Sequence, residues 1–529
     1  VMLETLEEMN LFLIPLDDER HWYRYHHLFA DVLRKRLEHQ QPQLLPELHR
    51  RASRWYEQNE FLAESVQQAI AAGDQDRAAH LIEENGCFLL MSGEVATLLN
   101  WTDAIDFQSE ARPWLAIQKA WALALTGELE RVEPTLQVPD TLLAPLERTA
   151  EVKTMQGTIA AARAQCANSR GDTHSAAEYA RQALELLPDC SSISRSVRSV
   201  ATSILGDASW INGDGEEAKR AYTEAIRIGK EAGNLHMVII ASSNIAEILM
   251  NQGQLHRAAD LYAQCLQTAV RQDGQRSPLA ANILANMARL FFVWNRLEEA
   301  DQFIRQCIDL CRQWGDIGMQ AYAHTVQARI EQARGQPGQA GEAIREVERL
   351  IGEYPDSSYL SSQLNSVLAR LWLEQGDLEK PSRYLQARGI NIKDEIPIQR
   401  ENDYDLLLRL LLAQGDYEAA SRLSDKFLQQ ARNIGLDGLK IEALLLRALA
   451  LQGKKENEQA LTFLEEALTL AQPEGHVRSF LEKGEAMTRL LCLAQSRQVG
   501  NGYAAELLSQ IDKIPNMTQP SMQLLVEPL

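Results

Sequence analysis

The chain has 529 residues, 45% hydrophobic and 24% charged, with 53 Lys and Arg against 73 Asp and Glu for a net charge of −20. That apolar content builds a core rather than a disordered tail, and the acidic balance argues against DNA or RNA as the main partner, since backbone binding needs a basic face. Seven cysteines, at 87, 166, 190, 265, 307, 311 and 492, include no CxxC pair, and so read as reduced thiols of a cytoplasmic protein packed as small apolar residues. A chain this long divides into about three or four domains unless it is a repeat array.

Residues 1–10 read as the last turns of a helix already under way, with Leu3 and Leu6 on one face. Glu4, Glu7 and Glu8 interrupt what a signal peptide needs. Residues 11–16 form a short apolar run, Asp17, Asp18, Glu19 and Arg20 a polar turn, and residues 21–26 an aromatic, β-prone stretch. The three together predict a β-hairpin. A helix over 27–37 follows, with Leu28, Phe29, Val32, Leu33 and Leu37 on one stripe, then a second over 46–57. A hairpin beside such helices points to the remnant of a winged helix. No later stretch approaches the roughly 18 apolar residues of a membrane span. Both ends, residues 522–529 included, read as cuts through a longer protein.

Beyond residue 60 a turn recurs. Gly73, Gly127, Gly171, Gly213, Gly253, Gly335, Gly376, Gly415 and Gly453, with Asn295 filling the one gap, stand 38 to 54 residues apart, and most are followed by Asp, Glu or Gln. A helix that stops needs a left-handed residue after its last turn, which Gly adopts cheaply and for which Asn is the usual substitute. The acid that follows suits the next helix's N-terminus. Small residues keep fixed offsets: Ala218, Ala258 and Ala300 come five after their turns, and Gly206, Ala246, Ala288, Ala328 and Ala369 seven before. Small side chains there let two antiparallel helices approach closely. This predicts an all-α, right-handed superhelix of tetratricopeptide-like helix pairs, of about 40 residues each, over residues 46–515.

Residues 16–37, LDDERHWYRYHHLFADVLRKRL, and 48–83, LHRRASRWYEQNEFLAESVQQAIAAGDQDRAAHLIE, resemble the large ATP-dependent bacterial regulators of the LuxR family, MalT type. The resemblance implies an N-terminal STAND-type NTPase, a winged-helix module, a helical-repeat sensor and a C-terminal helix-turn-helix. These 529 residues depart from it in containing no GxxxxGK[ST] phosphate loop. ATP is therefore expected only for an NTPase domain outside them, with no cofactor and no DNA contact here. The expected parts are the end of a winged helix (1–45), linking helical repeats (46–147), the sensor (148–515) and a linker toward a DNA-binding domain (516–529). The implied partners are a small-molecule inducer or a regulatory protein, and the parent's own NTPase, in a protein that oligomerises when activated.

No Ser-His-Asp order or carboxylate pair makes an enzyme credible by spacing. His21, His26 and His27 near Asp17 and Asp18 admit either a metal or a structural reading; adjacent hairpin residues point to opposite faces, which favours the latter. Cys307 and Cys311 stand i, i+4, and Cys307 holds a small-residue position of its repeat, so both read as core. Six residues before each turn, on the face expected to line the groove, stand Gln165, Asp207, Glu247, Arg289, Arg329, Arg370, Arg409 and Arg447. Acid gives way to base along this column. Three residues further on come Trp210 and Phe292, and Asn282 and Tyr322 lie in a neighbouring column. The candidate ligand site is Asp207, Trp210, Asn244, Glu247, Asn286, Arg289, Phe292 and Arg329, where donors and acceptors suit a small polar ligand and aromatic rings its apolar face. The alternative is that the arginines simply pair with neighbouring acids. The leading expectation is a signal-sensing region coupled to an NTPase, and the runner-up a passive interaction scaffold, separated by whether the groove encloses a local pocket.

Overall fold

Left-handed residues punctuate the chain where the pattern demands them. In the computed structural model, which describes residues 13–15, 23–107, 112–147, 149–270, 274–314, 317–353, 358–397 and 400–511, φ is positive at Gly73, Gly127, Gly171, Gly213, Gly253, Asn295, Gly335, Gly376 and Gly415. The residue after the glycine does more than suit the helix dipole. Asp172, Asp214 and Asp416 are N-caps whose carboxylates accept from Ser175 N (3.1 Å), Glu217 N (3.0 Å) and Ala419 N (3.0 Å). Gly-Asp thus ends one helix and starts the next within two residues.

Gly453 is the exception. It lies inside the Asp437–Gly453 helix, and the left-handed residue is Lys455, with φ 65°. Counting from Lys455 restores the repeat: Ala448 lies seven before, Ala460 and Ala467 five and twelve after, and all three are fully buried. Gly453 is small for another reason, since a Cβ there would run into the ring of Tyr417.

Two compact units result, and among the described residues the fold is all-α outside one hairpin and an isolated bridge between Val270 and Arg276. The first comprises residues 1–90, 94–126 and 133–144. Its hairpin pairs Leu13–Pro15 antiparallel with Tyr23–Tyr25, Leu13 opposite Tyr25; the predicted turn at 17–20, His21, and the segments 1–10 and 516–529 lie outside the described residues. The helix expected over 27–37 runs His27–Gln40, with Leu28, Val32 and Leu33 exposed. The next, Leu45–Gln58, packs on Leu62–Ala71 through the buried Ser53 and Ser65, whose Oγ donates to Ser53 O at 2.9 Å.

The second unit comprises residues 91–93, 127–132 and 145–529. Its helix pairs run from Ala150–Ser169 with Thr173–Leu186 to Asp437–Gly453 with Asn457–Ala471. The offsets predicted for close approach are core: Ala218, Ala258 and Ala300 are buried, as are Ala246, Ala288, Ala328 and Ala369 on the facing helices, and Ala225, Tyr262 and Ile304 are buried with them. At Gly206 a Cβ would lie 2.7 Å from Tyr222 Cε1, so the missing side chain is what seats that ring. After the last pair the chain turns through Gln472–Glu474 into the short helix Arg478–Leu481, then Gly484–Ser496 and Tyr503–Ile511. None of the helices among the described residues is long and apolar enough to cross a membrane.

Candidate functional site

The column six residues before each turn divides into an acidic group and a basic group. In the acidic group Asp207, on Ser192–Ile211, is the hub. It accepts from the Tyr222 hydroxyl at 2.7 Å, from Asn168 Nδ2 at 2.8 Å and from Asn244 Nδ2 at 3.3 Å. Burial pushes its pKa up to about 6, against the bonds from Tyr222 and Asn168, and the nearby charge of Glu247 adds to the rise. Burial, then the Asp207 charge, likewise raise the Tyr222 phenol above its usual range, keeping it a donor.

One repeat further on, Arg289 Nη1 stands 3.7 Å from Glu247 Oε1 and donates to Asn286 Oδ1 at 3.0 Å. Asn286 in turn donates to Asn282, which also accepts from Ser243 Oγ. The Tyr322 phenol lies close enough to Arg289 to feel its charge. The buried Tyr262 hydroxyl, close enough to Glu247 and Arg289 to feel both charges, has no hydrogen-bond partner. The Arg289 and Glu247 side chains keep 29% and 40% of their exposure, so this group is reachable.

The basic group is closed. Arg329 Nη2 meets Glu482 Oε1 at 2.8 Å and Arg370 Nη2 meets Glu482 Oε2 at 3.1 Å. Arg370 also pairs with Glu374 at 2.8 Å, and Arg409 with Asp405 at 2.7 Å and with Glu442. Lys483 Nζ lies 2.6 Å from Glu442. Burial alone would raise the Glu482 carboxyl, but Arg329, Arg370, Lys483 and Arg478 outweigh it and hold the group well below the usual carboxylate range. Burial drives the Lys483 ammonium well below its own range, with Arg409 acting in the same sense.

Of the eight candidate residues, the structure brings Asp207 to Asn244, and Glu247 and Asn286 to Arg289. Phe292 is buried, with the guanidinium carbons of Arg329 and Arg478 at 4.7 and 5.5 Å from its ring centroid. Cations thus cover the ring expected to stack on a ligand. Trp210 packs with Ala218, Tyr222 and Ala225 of its own repeat. Arg329 belongs to the closed group. Arg447 leaves the column altogether and bonds Ser421 O, Ser421 Oγ and Asp425. Its place was counted from Gly453; the true turn at Lys455 shifts the register by two residues, or about 200° around the helix.

Sequence reasoning missed Glu482, which pairs with Arg329 and Arg370, Lys483, which pairs with Glu442, and Arg478, which covers Phe292. The available signal was the break in helical periodicity at Pro473 and Gly475 just past the last repeat. The Cys307 Sγ lies 3.1 Å from Ala281 O and 4.0 Å from Cys311 Sγ, both cysteines being buried. The rings of His26 and His27 pack at 4.4 Å. A cleft of about 440 Å³ opens between Arg305, His324, Gln327, Glu331, Glu342 and Glu346, on other faces than the column.

Comparison with known proteins bears on both ends of this arrangement. Residues 157–497 match the family of the MalT-like TPR region and residues 1–45 that of the MalT winged helix domain. The HTH-type transcriptional regulator MalT of Klebsiella pneumoniae is 27% identical over 504 residues, 93% of this chain and 54% of that protein. The MalT of Cronobacter sakazakii is 28% identical over 497 residues, 92% and 53% respectively. The chain therefore spans about half the length of these curated relatives. Among solved structures, a Rap protein complexed with Competence and Sporulation Factor aligns over 79% of this chain and 98% of its own at 12% identity, with a TM-score of 0.42. A STAND protein with a tetratricopeptide repeat sensor from Pyrococcus horikoshii aligns over 89% and 74% at 13% identity, with a TM-score of 0.36. With the repeats matched from residue 157 to residue 497, the chain belongs to the family of the MalT-like TPR region.

Proposed function

We propose that this chain is the signal-sensing region of a bacterial ATP-dependent transcriptional activator. A small polar inducer, or a regulatory protein, seats on the column around Asp207, Trp210, Asn244, Glu247, Asn286, Arg289, Phe292 and Arg329, and Arg289 with Glu247 makes the primary contact. In this reading residues 1–45 end a winged-helix module, 46–147 link it to the sensor at 148–515, and 516–529 lead toward a DNA-binding domain. ATP belongs to an NTPase domain of the parent, which works in the cytoplasm and assembles into oligomers when activated. Binding biases that domain by favouring one of two arrangements of the repeats, which requires different affinity for the ligand in each.

The observation that carries this reading is the loose Arg289–Glu247 pair. At 3.7 Å it is too long for a good hydrogen bond, so both groups keep bonding capacity. The unpartnered Tyr262 hydroxyl lies beside them. A ligand hydroxyl placed there can accept from Arg289 and donate to Glu247, exchanging one loose ion pair for two hydrogen bonds. The arginines further along already hold carboxylates at hydrogen-bonding distance.

A thermal-shift screen against sugars, amino acids and nucleotides tests this. A ligand at 100-fold its Kd adds about 2.7 kcal/mol of stability. The expected result is a hit that Arg289→Gln and Glu247→Gln both abolish while each variant melts close to the parent. Hits unaffected by either variant, or none from the screen, would leave an interaction scaffold as the better account.

A further inference from the structure

The last described helices do not extend the repeat series. They turn back across it. Past Gln472–Glu474, Trp294 Nε1 donates to Glu474 O at 2.8 Å and His256 N donates to Glu474 Oε2 at 3.1 Å. Val477 N donates to Val293 O at 3.1 Å, and Arg478 Nη1 to Asn295 Oδ1 at 3.2 Å. Independently of this segment, the Asp437–Gly453 helix itself comes close to an earlier turn, where a Cβ at Gly438 would stand 3.1 Å from Asn251 O. Residues 472–483 thus clasp the turn around Asn295, some 180 positions earlier in the chain.

The clasp delivers one carboxylate to two arginines. Arg329 and Arg370 come from the first helices of consecutive pairs, and each gives one Nη2 to a different oxygen of Glu482. Two guanidiniums converging on both oxygens is how proteins hold a carboxylate or phosphate. Glu482 does not use all that is offered. Nε of Arg329 and Nε of Arg478 are buried with no hydrogen-bond partner. A carboxylate on a short side chain reaches two donors here, whereas an oxyanion free to shift, or one with more oxygens, reaches further ones. Buried guanidinium donors left without acceptors are costly, and a larger anion removes that cost.

We propose that Arg329 and Arg370 form a subsite for the carboxylate or phosphate of an anionic ligand, that Glu482 fills it when none is bound, and that ligand and clasp therefore exclude one another. Anion binding then releases residues 472–483 from Val293, Trp294 and Asn295. It thereby loosens one of the two places at which the end of the array holds earlier turns, the other being Gly438 against Asn251. For its use in signalling this rests on the sensing reading. Its physical claim does not, because the probe is inorganic phosphate and the contacts tested are those of Arg329 and Arg370 with Glu482, not the Arg289–Glu247 pair.

The test compares the full 529-residue chain with Glu482→Gln and with Glu482→Gln/Arg329→Gln/Arg370→Gln, in phosphate, succinate or chloride at matched ionic strength. In the single variant the half-saturating phosphate or succinate concentration for thermal stabilisation should fall about tenfold, because the tethered competitor is gone. In the triple variant, stabilisation should return to the general effect of an excluded salt. A response to phosphate alone assigns a phosphate-bearing ligand, and one to succinate a carboxylate-bearing ligand. Equal responses of the parent, single and triple variants would overturn the proposal. Hydrogen exchange on the parent needs no variant to fold: the Val477 and Phe480 amides should exchange faster as phosphate is added. Unchanged exchange at saturating phosphate would overturn it as surely. A failed inducer screen touches neither measurement.

Discussion

The Tyr222 hydroxyl donates to Asp207 Oδ1 at 2.7 Å, across the two helices of a single repeat. The bond ties the packing of that pair to its inner polar column, because the same ring rests where Gly206 has no side chain. Ring position and carboxylate position are therefore set together.

Gly206→Ala tests that link. In an exposed helix the change stabilises by up to about 1 kcal/mol. Here the new Cβ meets the Tyr222 ring at 2.7 Å, and overpacking costs about 1–3 kcal/mol. The net expectation is destabilisation in urea unfolding. A variant as stable as the parent would show that the ring moves freely and that the bond to Asp207 does not fix it.

Asp207 should make stability depend on pH in a defined window. Burial raises its pKa from 3.8 to about 6 in the folded chain, so between those values the folded state holds a proton that the unfolded state has released. Stability contributed by this group is then present at low pH and lost as pH rises toward 6, with about 3 kcal/mol as the upper bound for such a shift. Asp207→Asn carries no charge to desolvate. The stability of the variant minus that of the parent should therefore increase from about pH 4 to pH 6 and level off above. A difference that is flat across this range would mean the carboxylate is solvated.

Much of this was readable because its causes are local. A left-handed residue after a helix demands Gly or Asn whatever the rest of the chain does, and the same holds for the small side chain seven residues earlier. Lys455 hid the last turn, since nothing in its chemistry announces φ 65°, while Gly453 stood two residues away for the sake of Tyr417. The column of arginines was legible too. Its fate was not, because Glu482 lies 153 residues beyond Arg329 and 112 beyond Arg370, outside the repeat and its period. The surroundings of Phe292 were hidden for the same reason: Arg478 reaches its ring from that same distant segment.

The turns themselves offer a graded test. Gly415 has φ 77° and is exposed, and a Cβ added there would meet nothing within 4 Å, so any cost of substitution is backbone strain alone. Asn295 holds φ 59° at the equivalent place. Gly415→Asn should cost less than about 1 kcal/mol, and Gly415→Val about 2 kcal/mol or more, because a β-branched residue is a genuine outlier at positive φ. Equal melting of the two variants would mean the turn relaxes out of the left-handed region.

Arg289 and Arg409 sit at the same position of their repeats and should respond oppositely to truncation. Arg409 is one-tenth exposed, pairs with Asp405 at 2.7 Å, and also holds Glu442. Arg409→Ala leaves Asp405 with Arg370 at 3.9 Å and Glu442 with Lys483, whose ammonium is itself driven toward neutrality by burial. Two carboxylates then lose their main counter-charge in a poorly solvated place, which costs about 3–5 kcal/mol. Arg289 faces one half-exposed carboxylate at 3.7 Å, and Arg289→Ala should cost about 1 kcal/mol or less. Adding Asp405→Asn to Arg409→Ala should recover part of the loss, since it removes one of the stranded charges. If Arg289→Ala proved the more damaging of the two, the division of the column into a closed half and a reachable half would be wrong, and the ligand would have to be sought among the arginines paired with Glu482.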